Sequence, residues 1–350
     1  MESVKSHLKI NWYRVPCDKA LLGILHKKDN LKALSQSLCY LSLIICTGLL
    51  SLLSFNFLGN TVGFLTIFLH GTVWAFTINA VHELIHGTPF KDKYLNSLFC
   101  SIFAFVGWHN HYEFWASHTQ HHKFTLHPPF DQEVILNPPK HFTIKDFLKK
   151  GFLSPFQFIS NIRNQFLIAT VKFPSGWQEK SFSETTPLNR DRAVKWSRFL
   201  LAGHLLITIF CVATFQFELL FIISMTPMYG GWLFYLINNT QHAGLIDNSN
   251  DFRKSCRTIF LNPFLSFLYW KMNYHIEHHM FPGVPFYNLP KLHVAIRKSL
   301  PHVCNGIFET WSQIISIQNT QKIHPDFQFN QLNPWNFSKW FACENCFRLN

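Results

Sequence analysis

Two long stretches of this chain, Ala33 to Phe90 and Phe199 to Phe252, contain no Lys or Arg, although the chain carries 31 such residues and a formal charge of +12. Within the first stretch, apolar runs extend from about Leu38 to Leu58 and from about Val62 to Val81. Each approaches the ~20 residues that a helix needs to cross the hydrocarbon core of a bilayer. Only Gly59, Asn60 and Thr61 separate the runs, which predicts an antiparallel hairpin. The second stretch repeats the arrangement, from about Phe199 to Thr214 and from about Leu219 to Ile237, and its turn near Phe215 to Glu218 is again free of basic residues. The pattern therefore predicts an all-α membrane protein with four transmembrane helices in two hairpins of the same orientation. The segregated cations fit the cytoplasmic excess of Lys and Arg in multi-spanning proteins, with added attraction to anionic headgroups. They do not fit nucleic-acid binding, for which a basic stripe with interleaved stacking aromatics is expected.

Composition supports a membrane body. Hydrophobic residues make up 48% of the 350 residues and charged residues 14%, which argues against two soluble domains. The 38 Phe and 11 Trp suit lipid-facing surfaces, interfacial belts and the walls of an apolar channel. Nine Cys, an odd number with Cys39, Cys46, Cys100 and Cys211 in or beside apolar runs, do not form an extracellular disulfide pattern. The lone Cys343-Glu-Asn-Cys346 reads as a pair of tail thiols rather than a zinc or redox motif. The N-terminus lacks an apolar signal region, so insertion is expected to rely on the internal spans. Leu95 to Trp108 is short for a span and is expected to be re-entrant or interfacial. Cys17 to Lys28 suits an amphipathic helix, either lying in the interface or packed on a soluble cap. The expected division is an N-terminal cytoplasmic or interfacial segment (1–35), a membrane domain (36–292) and a C-terminal cytoplasmic tail (293–350). The mixed segments from Phe124 to Trp196 and beyond Gly244 are expected to form a helical cap on the cytoplasmic side.

Histidine spacing carries the chemistry. His82-Glu-Leu-Ile-His86 places two imidazoles on one helical face, a motif that by itself also fits a zinc metalloprotease with Glu83 as general base. His118-Thr-Gln-His121-His122 puts three on one face, and His275-Ile-Glu-His278-His279 repeats that spacing before Pro282, Pro285 and Pro290. Eight histidines in three such groups exceed the needs of a single zinc. The hairpins place all three groups on the basic side, where they can converge. His242, at the inner end of the fourth run, is a plausible ninth ligand, and Asn238 or Asn239 a water-mediated one. Glu83, Asp131, Glu133 and Glu277 are candidates to orient the imidazoles from behind. His70 and His204 lie within spans and are expected to pack as neutral, hydrogen-bonded side chains. His109, His111 and His127 are assigned to the rim of the site.

The ordered series HxxxH, HxxHH, NxxxH and HxxHH, set between two membrane hairpins, resembles the integral-membrane fatty acid desaturase and hydroxylase superfamily from about His82 to Leu292. Further similarity lies in His122-Lys-Phe-Thr, Asp131-Gln-Glu133, Gln241-His242-Ala-Gly and Asn273-Tyr-His275-Ile-Glu-His278-His279-Met-Phe-Pro. The resemblance implies two Fe2+ ions held by His82, His86, His118, His121, His122, His242, His275, His278 and His279, with Asn238 matching the Asn of NxxxH. It implies no catalytic side chain beyond this metal centre, and oxidation of a lipid methylene by dioxygen. Loss of a second hydrogen would give a double bond, whereas return of hydroxyl would make the chain a hydroxylase or ketolase on the same ligands. No flavin, haem or iron–sulfur motif is visible, so an external electron donor of ferredoxin or cytochrome b5 type is expected. The membrane would be a bacterial inner membrane or the endoplasmic reticulum. HxxxH departs from the HxxxxH box of acyl-CoA desaturases. A final box opening on His275 rather than Gln, and the lack of an HPGG haem loop, depart from front-end desaturases. Similarity to sphingolipid desaturases, alkane hydroxylases and carotenoid ketolases stays open. Of the rival classes, a zinc protease leaves seven histidines unexplained, and a metal transporter needs ligands along a path through the bilayer.

Overall fold

Asp29 starts the first long helix, its carboxylate accepting from the backbone N–H of Leu31 and Lys32. In the computed structural model, which describes residues 9–131, 133–134, 141–183 and 186–333, the described chain is mostly helical. Helix α1 spans Lys19–Leu25, α2 Asn30–Phe57, α3 Asn60–Trp74, α4 Thr77–Ile85, α5 Lys93–Val106 and α6 His111–Phe124. Gly59 turns the chain between α2 and α3 at φ 87°, a left-handed conformation that glycine adopts without steric cost. The link between α3 and α4 is so slight that Asn60–Ile85 acts as one 26-residue span.

The first hairpin is inside out by the standards of a water-soluble protein. Leu49, Leu50, Leu53, Phe57, Phe64 and Leu65 are exposed, while Ser37, Thr47, Ser51 and Ser54 are buried. Small polar residues inside and large apolar ones outside suit helices whose solvent is lipid. The Pro187–Ala213 helix follows the same rule, exposing Leu205, Leu206, Ile209 and Phe210. Among the described residues three helices are thus long and apolar enough to cross a membrane, and the protein is a membrane protein.

The fourth expected span, Leu219 to Ile237, is not one continuous helix. It is divided into Phe217–Ile223, a 3-10 turn at Thr226–Met228 and Trp232–Asn238. Pro227 lacks the N–H that would continue the ladder, and Gly230 sits at φ 77°. A Cβ on Gly230 would lie 2.6 Å from the carbonyl carbon of Gly71, and one on Gly71 would lie 2.5 Å from the Tyr229 ring. Two glycines let this return segment press backbone to backbone against α3, and helical continuity is lost at the contact.

Helix α5, 14 residues long, is too short to span, as expected, and buries Phe99, Cys100, Phe103 and Ala104 in the main core with residues of α2 and α4. Helix α1 is packed on the rest of the helical body. Leu25 is buried and its carbonyl accepts from the Asn288 side chain at 2.8 Å. A short parallel pair, β1 (Ile259–Phe260) and β2 (Cys304–Asn305), ties the segment before the third histidine box to the Gly306–Ile323 helix. Cys343 and Cys346 lie outside the described residues.

Candidate metal centre

Four pieces of backbone deliver the histidines. Helix α4 ends with His82 one turn before its cap residue His86. Helix α6 begins at Asn110, whose side chain accepts from the N–H of Tyr112 and Glu113 and donates to the Ala193 carbonyl and Ser197 Oγ, fixing α6 against the Pro187–Ala213 helix. His275–Met280 is a short buried helix entered through left-handed residues Trp270 and Lys271. His242 sits in the turn after Asn238. The buried Arg257 guanidinium braces that turn, donating to the carbonyls of Thr240 at 2.5 Å and Ala243 at 3.1 Å.

The nine imidazoles resolve into two groups: His82, His86, His118, His122 and His278; and His121, His242, His275 and His279. Within each group the nitrogens that face inward lie within 4.8 Å of one another. Nε2 meets Nε2 at 3.2 Å for His86 and His118, 2.9 Å for His118 and His122, 3.1 Å for His122 and His278, 2.9 Å for His242 and His275, and 3.1 Å for His275 and His279. A neutral imidazole has one N–H to give, so rings meeting nitrogen to nitrogen in closed sets cannot satisfy one another. They can satisfy a cation. The groups adjoin, with the His122 and His279 rings stacked 4.3 Å apart.

Each HxxHH box divides its ligands between the groups. His118 and His122, four residues apart, join the first and His121 the second; His275 and His279 join the second and His278 the first. The i, i+4 pair grips one position while the i+3 imidazole reaches the other.

Five of the nine outer nitrogens are held by a neighbouring oxygen, which leaves Nε2 to point inward. Nδ1–H of His118 donates to Glu133 at 3.0 Å, that of His121 to Asp131 at 2.9 Å and that of His242 to the Ser255 carbonyl at 2.7 Å. His82 Nδ1 lies 3.2 Å from Glu83, and Nδ1 of His279 lies 3.2 Å from the Thr125 hydroxyl. Burial first, and neighbouring imidazoles second, hold His118, His122, His275, His278 and His279 well below the ordinary imidazole range, and burial alone lowers His86 to about 4. These rings are therefore neutral at physiological pH, the state a metal requires. Burial also opposes protonation of His121, but its bond to Asp131 and the charges of Glu133 and Asp131 outweigh it and raise its affinity for a proton. A donor set of imidazole nitrogens with carboxylates behind some of them fits a pair of first-row transition-metal ions.

Other expectations divide. Glu277, 0% exposed, accepts from Thr258 Oγ at 2.6 Å and pairs with His293 rather than with any of the nine histidines, so its role is to anchor the short third helix. Its sequence position inside a histidine box gave no hint of this, because the partner His293 lies on a later helix. Asn238 lines the cavity described below, and its Oδ1 accepts from the Tyr269 hydroxyl at 3.1 Å. His70 pairs with Thr47 and the Ile222 carbonyl, and His204 with Ser224 and the Phe105 carbonyl, the packing roles expected of them. His127 lies beside the site, its Nδ1 on the Thr125 carbonyl, whereas His111 packs against Trp196 and the backbone of His109 accepts from that indole. Ser255 and Arg257 carry no spacing signal and were invisible in the sequence, whereas Thr125 closes the His122-Lys-Phe-Thr segment already singled out there.

A cavity of about 230 Å³ opens against both groups. His82, His118, His121, His242 and His275 form one wall, and Ile78, Phe114, Val134, Phe142, Phe234 and Met272 supply an apolar one. Comparison with known proteins decides the family: the profile described as "Fatty acid desaturase" matches residues 58–311. The chain belongs to the fatty acid desaturase family. Among its relatives, the Delta(6)-fatty-acid desaturase fat-3 of Caenorhabditis elegans is 23% identical over 66% of this chain and 58% of its own length. A sphingolipid delta(4)-desaturase (DES1-like) of Oryza sativa subsp. japonica is 27% identical over 67% of this chain and 64% of its own. The chain thus spans less than two thirds of the length of either relative. Within this desaturase family, the HELIH segment that alone would also suit a protease supplies two of nine converging imidazoles.

Proposed function

We propose that this protein is a dioxygen-dependent membrane desaturase of lipid acyl chains, with one iron held by His82, His86, His118, His122 and His278 and a second by His121, His242, His275 and His279, Asn238 assisting through water. The observation that carries this reading is the pair of adjoining imidazole groups on the wall of a single, partly apolar cavity. Two bound irons would supply the redox chemistry by which dioxygen removes two hydrogens from neighbouring methylenes. The chain's own residues do the rest. Ile78, Phe114, Phe234 and Met272 receive hydrocarbon and exclude water, and Asp131 and Glu133 lock the tautomers of His121 and His118. Placement of the substrate methylene against the histidines sets the outcome, because a displacement of about 1 Å can cost about 100-fold in rate.

Reducing equivalents would come from an external protein of ferredoxin or cytochrome b5 type. The site would face the cytoplasm: Lys27, Lys28 and Lys32 flank the start of α2, Lys91 and Lys93 follow α4, and Arg190, Arg192, Lys195 and Arg198 lie at the start of the Pro187–Ala213 helix. The opposite turns carry no Lys or Arg, which matches the positive-inside distribution.

The test is lipid mass spectrometry of cells producing the unaltered protein against cells producing His118→Ala, together with metal analysis of both purified proteins. Products lighter by two hydrogens, absent in the variant, and two irons per chain are expected. Products heavier by one oxygen would reassign the reaction to hydroxylation, and full activity of His118→Ala would sink the ligand assignment.

A further inference from the structure

A buried cation stands behind the second histidine group without an anion to answer it. Arg257 is 2% exposed, and its guanidinium donates to neutral oxygens: the carbonyls of Thr240 and Ala243, and Oε1 of Gln313 at 3.2 Å. Among the described residues it meets no carboxylate, although a buried guanidinium is ordinarily paired. Burial lowers its hold on the proton only to about 10, so it stays charged at physiological pH. Its partners bracket His242. Thr240 and Ala243 lie on either side of that residue, the Arg257 N–H donates to the Gln241 carbonyl at 2.7 Å, and the Ser255 carbonyl, two residues before Arg257, holds His242 Nδ1. The first group is backed differently: Glu83 Oε1 lies 3.2 Å from His82 Nδ1 and 3.8 Å from His278 Nδ1, and Glu133 lies 3.0 Å from His118 Nδ1. Lys28, on the Gly87 carbonyl, and Lys123, next to His122, are exposed, so water screens their charge. Two carboxylates thus support the first group, whereas the second has Asp131 and the guanidinium. A fixed cation favours the less highly charged state of a neighbouring metal ion, and an anion the more highly charged one, more strongly in a buried site than in water.

We propose that Arg257 makes the two metal positions unequal: its fixed charge, held against the His242 turn, renders iron at the second group the easier of the two to reduce. The inference rests on the desaturase reading and adds to it an order of electron uptake. The first electron from the external donor converts Fe3+ at the second group to Fe2+, and the next electron does the same at the first group. Arg257 is a positioning residue, since it acts through His242 and the turn that carries it. Gln313 lies on the Gly306–Ile323 helix, so the guanidinium also ties that turn to the C-terminal part of the described chain.

The experiment is a redox titration of the iron-loaded protein, without oxygen or lipid and with excess iron present, each step being read by Mössbauer spectroscopy. Two separate one-electron steps are expected. Arg257→Met should lower the potential of the step that takes up the first electron and leave the other in place, so that the two draw together. Arg257→Lys keeps the charge and should keep the order, even as loss of the planar fork loosens the turn. Asp131→Asn removes an anion from the second group and should move the same step the opposite way, while Glu133→Gln should move the other step, which assigns both. Equal shifts in Arg257→Lys and Arg257→Met would mean that Arg257 only braces the turn; that result, or unchanged potentials in Arg257→Met, overturns the proposal. Should Arg257→Met not fold, Arg257→Gln, which can still bond one carbonyl, carries the same comparison. A protein that takes up fewer than two irons overturns this proposal and the desaturase reading together. Two irons reduced in the expected order, in a protein that forms no unsaturated lipid, refute the desaturase reading and leave the role of Arg257 standing.

Discussion

Asp131 offers a test of whether the two histidine groups are separate metal positions. Its carboxylate is 1% exposed and accepts four hydrogen bonds: Oδ2 from His121 Nδ1–H and the Leu126 N–H, both at 2.9 Å, and Oδ1 from the N–H of Glu133 at 2.9 Å and of Val134 at 3.1 Å. Each bond to a charged acceptor is worth about 1.5–3 kcal/mol. Such terms do not add, and removing one partner of a buried ionic network costs about 3–5 kcal/mol, the loss expected for Asp131→Ala. Asp131→Asn is the sharper probe. Its carbonyl can keep one pair of backbone donors, but its NH2 then meets the donors on the other side, and the imidazole of His121 loses the anion that orients it. Loss of such an outer partner lowers metal affinity by about 10–100-fold. Asp131 touches a histidine of the second group only, whereas Glu133 touches His118 of the first. Titrating iron-loaded protein with a chelator should therefore strip one iron early from Asp131→Asn and leave the other at its normal affinity. Glu133→Gln, whose parent side chain is 31% exposed, should show a smaller loss from the opposite site. Simultaneous loss of both irons from Asp131→Asn, or unchanged affinity for both, would refute the division into two independently supported positions.

Two further outcomes follow from the geometry. Gly230→Ala places a methyl group 2.6 Å from the Gly71 backbone at a positive φ, and should destabilise the protein by about 2–3 kcal/mol or more, read as a lower thermal unfolding temperature in detergent; unchanged stability would mean that the return segment does not press on α3. Metal-free protein should lose stability as pH falls from 6.5 toward about 4. Burial depresses His86 and His111 from the ordinary 6.5 to about 4, so the unfolded chain binds protons in that window that the folded chain refuses. Each such group contributes about 1.4 kcal/mol per pH unit, fully present above the window; a flat unfolding temperature of chelator-treated protein across it would contradict neutral burial of these rings.

Much of this protein is legible in one dimension because both membrane spans and helical metal sites rest on local periodicity. Cation-free apolar runs mark the first hairpin and the Pro187–Ala213 helix, since the bilayer acts on any 20-residue segment alike. The spacing of His82 and His86, of His118, His121 and His122, and of His275, His278 and His279 follows from the pitch of a helix, so eight histidines are nominated by spacing alone, and His242 by its place at the end of the fourth apolar run. Sequence does not say which nitrogen goes where. His121 and His122 are adjacent in the chain yet serve different groups, because α4 brings His82 and His86 to one side of α6 while His242 and His275 arrive on the other. The broken fourth span has the same origin: Gly71 and Gly230 are ordinary glycines until two backbones meet. Glu277, inside a histidine box, turns out to hold His293, and the carbonyl of Ser255, with no side-chain signal at all, orients His242. Periodicity along one element is a property of the chain, whereas the convergence of elements depends on packing between distant segments, and only the tertiary structure decides it.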